Sequence, residues 1–141
     1  MDARRPTVAP VARSVALTLA LLAAACSGDP ATVLQTDLPQ IPNMTGRESS
    51  GIVHEGNVIE AGTFAYKGAV SDLDAQVAET RAAFSGRGWT LESERRTPAT
   101  ASLVFAKGVR RARVEVIRND LAPGMSTAVT RVETLAAAPA R

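Results

Sequence analysis

The chain has one cysteine, one histidine and five aromatic residues in 141, and each scarcity removes a class of function. A single thiol, Cys26, closes no intramolecular disulfide. A single imidazole, His54, is too few for most zinc sites and most histidine-based catalysis. Phe64, Tyr66, Phe84, Trp89 and Phe105 are all the aromatics, so the stretch equipped to build a core is shorter than the chain. Long apolar runs are missing as well. Residues 15–25, interrupted only by Thr18, extend about 16 Å as a helix at ~1.5 Å per residue, half of a hydrocarbon core, so they do not read as a permanent membrane span.

What is present begins with an address. Arg4, Arg5 and Arg13 precede that apolar run, and small residues close it, which is the three-part pattern of a secretory signal over 1–25. Leu22-Ala23-Ala24-Ala25-Cys26 resembles the bacterial lipobox, although the leucine stands one position further from the cysteine than is usual. The resemblance implies that Cys26 is acylated, becomes the mature N-terminus and anchors the protein in a lipid bilayer. At ~0.8 kcal/mol per buried methylene, two or three acyl chains hold a protein in a leaflet for good. Ser27 after the cysteine resembles lipoproteins passed to the outer membrane of a diderm host, on its periplasmic face. The alternative is ordinary cleavage after Ala25, which also obeys the small-x-small rule and releases a secreted protein with a free thiol.

Removing the leader cancels the charge. The whole chain carries 16 Lys+Arg and 14 Asp+Glu for a net +2, and the leader takes three arginines and Asp2 with it, leaving 13 of each sign. A neutral mature chain gives no reason to expect nucleic-acid binding.

Residues 26–50 contain Pro30, Pro39 and Pro42 and no aromatic, and they read as the lipidated cysteine with a flexible tether. Residues 51–135 read as a single domain, with a disordered tail over 136–141. Within the domain, Ile52-Val53-His54 and Asn57-Val58-Ile59 flank Glu55-Gly56 as a hairpin or an irregular arm, and residues 62–70 alternate as a strand. Ser71 is the expected N-cap of a helix whose stripe is Leu73, Val77, Thr80, Ala83 and Phe84, with Asp74, Glu79 and Arg81 toward water and Gly86-Arg87-Gly88 ending it. Trp89 and Leu91, then Leu103 and Phe105, then Ala112, Val114 and Val116 recur at a period of two as further strands. In residues 126–135, Val129 and Val132 fall on opposite faces by strict alternation, so a bulge, an edge strand or a helical turn is open there. These elements predict an α+β fold in which one helix packs on a four- to five-stranded, mostly antiparallel sheet.

Gly62-Thr63-Phe64-Ala65-Tyr66-Lys67-Gly68, the capped helix, Gly88-Trp89 and Leu103-Val104-Phe105-Ala106-Lys107 together resemble small bacterial lipoproteins with an uncharacterised compact domain. The resemblance covers residues 62–118 and the lipobox, and it implies an envelope location without a known chemistry.

Candidate sites are few. His54 and Glu55 are sequence neighbours in an extended segment, so their side chains diverge and make no dyad; G-x-S-x-G and H-E-x-x-H are absent. Asp72, Asp74 and Glu79 lack the spacing of a calcium loop and read as capping and solvating groups. No catalytic, cofactor or metal residues are therefore assigned. Charge is nonetheless segregated: residues 95–118 hold Arg95, Arg96, Lys107, Arg110, Arg111, Arg113 and Arg118 against Glu115 alone. Arg110, Arg111 and Arg113 are the candidates for contact with an anionic envelope polymer or another envelope protein; the plainer reading is that Arg111 and Arg113 solvate an open sheet face, while Arg110 stands at the wet end of the face that carries Ala112, Val114 and Val116. The functional expectation is a noncatalytic binding domain on a lipid anchor; the alternative is a secreted or anchored enzyme, which requires a deep pocket around His54 or a carboxylate.

Overall fold

A computed structural model describes residues 31–136. Residues 1–30, which include the expected signal segment and Cys26, and residues 137–141 lie outside the described residues. The fold is α+β, but the sheet has six strands rather than four or five: β1 (Met44–Glu55), β2 (Val58–Gly68), β3 (Thr90–Arg96), β4 (Thr100–Lys107), β5 (Arg110–Ile117) and β6 (Ser126–Thr134). Every pairing is antiparallel, in the order β1-β2-β6-β5-β4-β3. One helix, α1 (Leu73–Gly86), covers the β3–β4 side of one face.

The helix forms where the apolar period of 3.6 predicts it, and Leu73, Val77, Thr80, Ala83 and Phe84 are all buried. Its N-cap is Asp72, one residue later than expected: the carboxylate accepts from the backbone N–H groups of Asp74 and Ala75. Such a cap stabilises a helix by about 1 kcal/mol. Phe84 stacks on Phe105 with centroids 4.3 Å apart and meets Trp89 edge-on at 6.1 Å, so helix and sheet share one aromatic cluster.

The sixth strand comes from the expected tether. Residues 44–50 extend the hairpin backward into a twelve-residue edge strand, and the chain before it is built into the core. Leu38 and Ile41 are fully buried, and Val33 and Met44 nearly so. The composition suggests a tether because prolines are frequent there, yet Val33, Leu38 and Ile41 between them, with Met44 at the start of β1, suffice to cover the part of the sheet that a single helix leaves bare. Gln76 of the helix donates to the carbonyl of Pro42 at 2.8 Å, joining the two parts of this layer. The ordered body therefore begins by residue 31, not near residue 51.

Strand β6 is regular. Ala128, Thr130 and Val132 face the helix and Val129 the opposite side, so no bulge is needed; the inward set simply includes a threonine. Bulges occur instead in the two edge strands, at 46–54 in β1 and between Leu91 and Ser93 in β3, where they discourage pairing with another chain.

Candidate functional site

Period-two geometry sends alternate arginines of β5 to opposite faces. Arg110 points inward. Its guanidinium donates to both carboxylate oxygens of Asp37, at 3.1 and 2.6 Å, and to the carbonyl of Ile59 at 2.8 Å, and it lies 4.9 Å from the Trp89 ring centroid. Lys107 adds a contact to Asp37 at 2.9 Å, and the Trp89 indole N–H donates to the Asp37 carbonyl at 3.0 Å. Burial raises the carboxyl pKa of Asp37, but hydrogen bonds and charge from Arg110 and Lys107 outweigh it and hold the group at about 2. Arg110 is therefore withdrawn from the expected contact set: it is a clasp that binds the N-terminal segment to the sheet.

Arg111 and Arg113 project from the other face, which no element covers among the described residues. Arg111 pairs with Glu92 at 2.8 Å, a carboxylate brought within reach by the β3 bulge. Arg113 stands directly opposite Arg131 of β6, and neither makes an ion pair among the described residues. Cβ atoms of such opposite residues are about 4.5–5.5 Å apart, and like charges there repel.

The two arginines sit in a row that crosses the whole sheet, Ser50-Thr63-Arg131-Arg113-Val104-Ser93, one residue from each strand. Five interstrand steps of ~4.8 Å make the row about 24 Å long. A shallow hollow of about 390 Å³ lies on one side, lined by Ser93, Val104, Arg111, Arg113, Glu92 and Glu133. Another of about 260 Å³ lies on the other, lined by Glu48, Ser49, Ser50, Thr63 and Ala65. All five aromatics are on the helix side, so the open face offers guanidinium and hydroxyl groups with small aliphatic floors, and no ring to stack on.

No family model, curated protein or solved structure matches the chain. The site thus rests on its own geometry.

Of the expected contact residues, the structure leaves Arg111 and Arg113 together on the open face and sends Arg110 inside. Arg131 is added by the β5–β6 pairing, which is visible in sequence only once the register across the 118–125 loop is known. Asp37 was hidden because its segment reads as a tether. His54 is exposed on β1, its backbone paired with Ile59, and no carboxylate contacts it among the described residues. No group of metal-ligating side chains and no helix long and apolar enough to cross a membrane occurs among the described residues.

Proposed function

We propose that this chain is a noncatalytic cell-envelope lipoprotein, anchored in the bilayer through acylated Cys26, whose open sheet face binds an anionic partner. The observation that carries the binding reading is the facing pair Arg113 and Arg131, neither of which has an ion-pair partner among the described residues. Two guanidinium groups held side by side by a sheet are preorganised for one phosphate or carboxylate, and an anion between them converts their repulsion into attraction. Ser50, Thr63 and Ser93 supply neutral donors along the same line. Glu115 and Glu133 on the diagonals keep the face from being uniformly basic, which favours a partner with spaced anionic groups over a featureless polyanion. Support for the anchor is the lipobox together with the placement of the only cysteine within it.

Photocrosslinking in intact cells tests the binding reading. A crosslinker at Val129, beside the arginine pair, is expected to capture a partner, and the adduct disappears in Arg113→Glu/Arg131→Glu or at high salt. A crosslinker at Ala82, exposed on the helix, captures none. Equal capture at both positions, or an adduct at Val129 that survives the double substitution, overturns it.

A further inference from the structure

Three of the exposed large apolar residues cluster at one end of the sheet. Ile117 closes β5 with 46% of its surface exposed, Leu121 in the following loop is 99% exposed, and Met125 before β6 is 51% exposed. Ile117 pairs with Thr127, two residues from Met125, so these two lie on a diagonal at the mouth of the loop.

This loop is not a slack connection. The Asn119 side-chain oxygen accepts from the N–H groups of Leu121 and Ala122, Ser126 Oγ accepts from Asn119 N–H and donates to the Pro123 carbonyl, and Val70 N–H donates to the same carbonyl. A hydrogen-bonded loop thus holds a leucine with almost no protein contact. Arg118 beside it pairs with Asp120, and Lys67, opposite Thr127, stands on the same end, one residue before Gly68, which meets Ser126.

The path of the N-terminus points to what covers this end. Ala31 shares a hollow with Pro42, Asn43, Met44 and Thr45, the start of β1. Met44 pairs with Gly68, and Gly68 with Ser126, so the chain enters the body at the same end as the loop, two strands away. Between Cys26 and Ala31 there are five Cα–Cα steps, which span at most about 18 Å. A sulfur buried among acyl chains at Cys26 therefore keeps this end at the bilayer surface.

We infer that Ile117, Leu121 and Met125 form a membrane seat: the 118–125 loop rests in the acyl–headgroup boundary of the leaflet that holds the Cys26 anchor, with Leu121 deepest. The inference rests on the anchor reading. It sets the strands upright on the membrane, with the β1–β2 turn at Gly56 farthest away and the arginine row facing sideways. A sheet so oriented meets partners approaching along the membrane surface.

The acylated full-length mature chain tests it directly, because lipidation consumes the only natural thiol. Leu121→Cys and Asn57→Cys are each labelled with an environment-sensitive fluorophore, and the protein is reconstituted into vesicles of phosphatidylethanolamine and phosphatidylglycerol carrying a lipid-borne quencher. Both sites are exposed, so neither substitution disturbs packing. The expected result is at least a threefold stronger quenching at 121 than at 57, with a blue-shifted emission only at 121. Equal quenching at the two positions in a chain that stays on the vesicles overturns the seat and leaves the anchor standing. Recovery of the chain free of vesicles, with no acyl mass at Cys26, overturns the anchor and the seat with it.

Discussion

Replacing Asp37 by Asn keeps the shape of the clasp and removes its charge. The side chains of Arg110 and Asp37 are 11% and 13% exposed, so the substitution leaves a guanidinium largely out of water without its counter-charge, with one amide oxygen, the Ile59 carbonyl and the Trp89 face for partners. Breaking a buried pair costs about 3–5 kcal/mol; Lys107, the second cation on Asp37, is 31% exposed and can turn to water, so about 2–3 kcal/mol is expected. For a domain of this size that lowers Tm by roughly 8–20 °C. The pH dependence follows from the depressed carboxyl. Its folded value of about 2 lies below the ordinary 3.8, so the stability it contributes is present above about pH 4 and is lost as pH falls through 2. Allowing for solvent screening, that part is about 1–2 kcal/mol. Urea unfolding followed by Trp89 fluorescence is the assay, since this sole tryptophan is buried and donates to the Asp37 carbonyl. The parent is expected to exceed Asp37→Asn by about 2–3 kcal/mol at pH 7, and the gap narrows toward pH 2. A gap below about 0.5 kcal/mol at pH 7, or one that does not change with pH, refutes the clasp.

Two further outcomes depend on particular contacts. The Tyr66 hydroxyl is buried, and the Thr130 hydroxyl beside it does not reach hydrogen-bond geometry, so Tyr66→Phe is expected to be neutral or to stabilise by up to about 1 kcal/mol in urea unfolding. Burial pushes this phenol up to about 12, a rise that Thr130 tempers; as the only tyrosine, its phenolate absorbance should show a midpoint near that value instead of 10. At Gly68 a Cβ would stand 2.6 Å from the Asn43 carbonyl oxygen and 2.9 Å from Met44 Cα, both backbone atoms. Gly68→Ala is expected to cost about 1–3 kcal/mol and to speed amide exchange at Met44 more than in β4 or β5.

The helix and the central strands were legible in sequence because their periods are clean: the apolar stripe from Leu73 to Phe84 and the alternations at 101–107 and 112–116 each need only local geometry. Two features were not. Residues 31–50 read as a tether since proline marks irregular backbone, but irregular backbone still packs when apolar residues such as Leu38 and Ile41 find a bare sheet face. Arg110 reads as a wet strand end, on the inward face but past its apolar middle; its partner, Asp37, is 73 positions away and no local pattern joins them. The arginine row shows the same division. Arg113 stood out in its basic stretch, whereas Arg131 joins it only through the pairing of β5 with β6.

The central claim is the covalent attachment to lipid, and the mass of the N-terminal peptide from membrane-extracted protein tests it most directly. The account predicts a chain that starts at Cys26 and carries a diacylglyceryl group on its sulfur. An unmodified thiol at that residue, or a mature chain that starts upstream of it, would contradict the account.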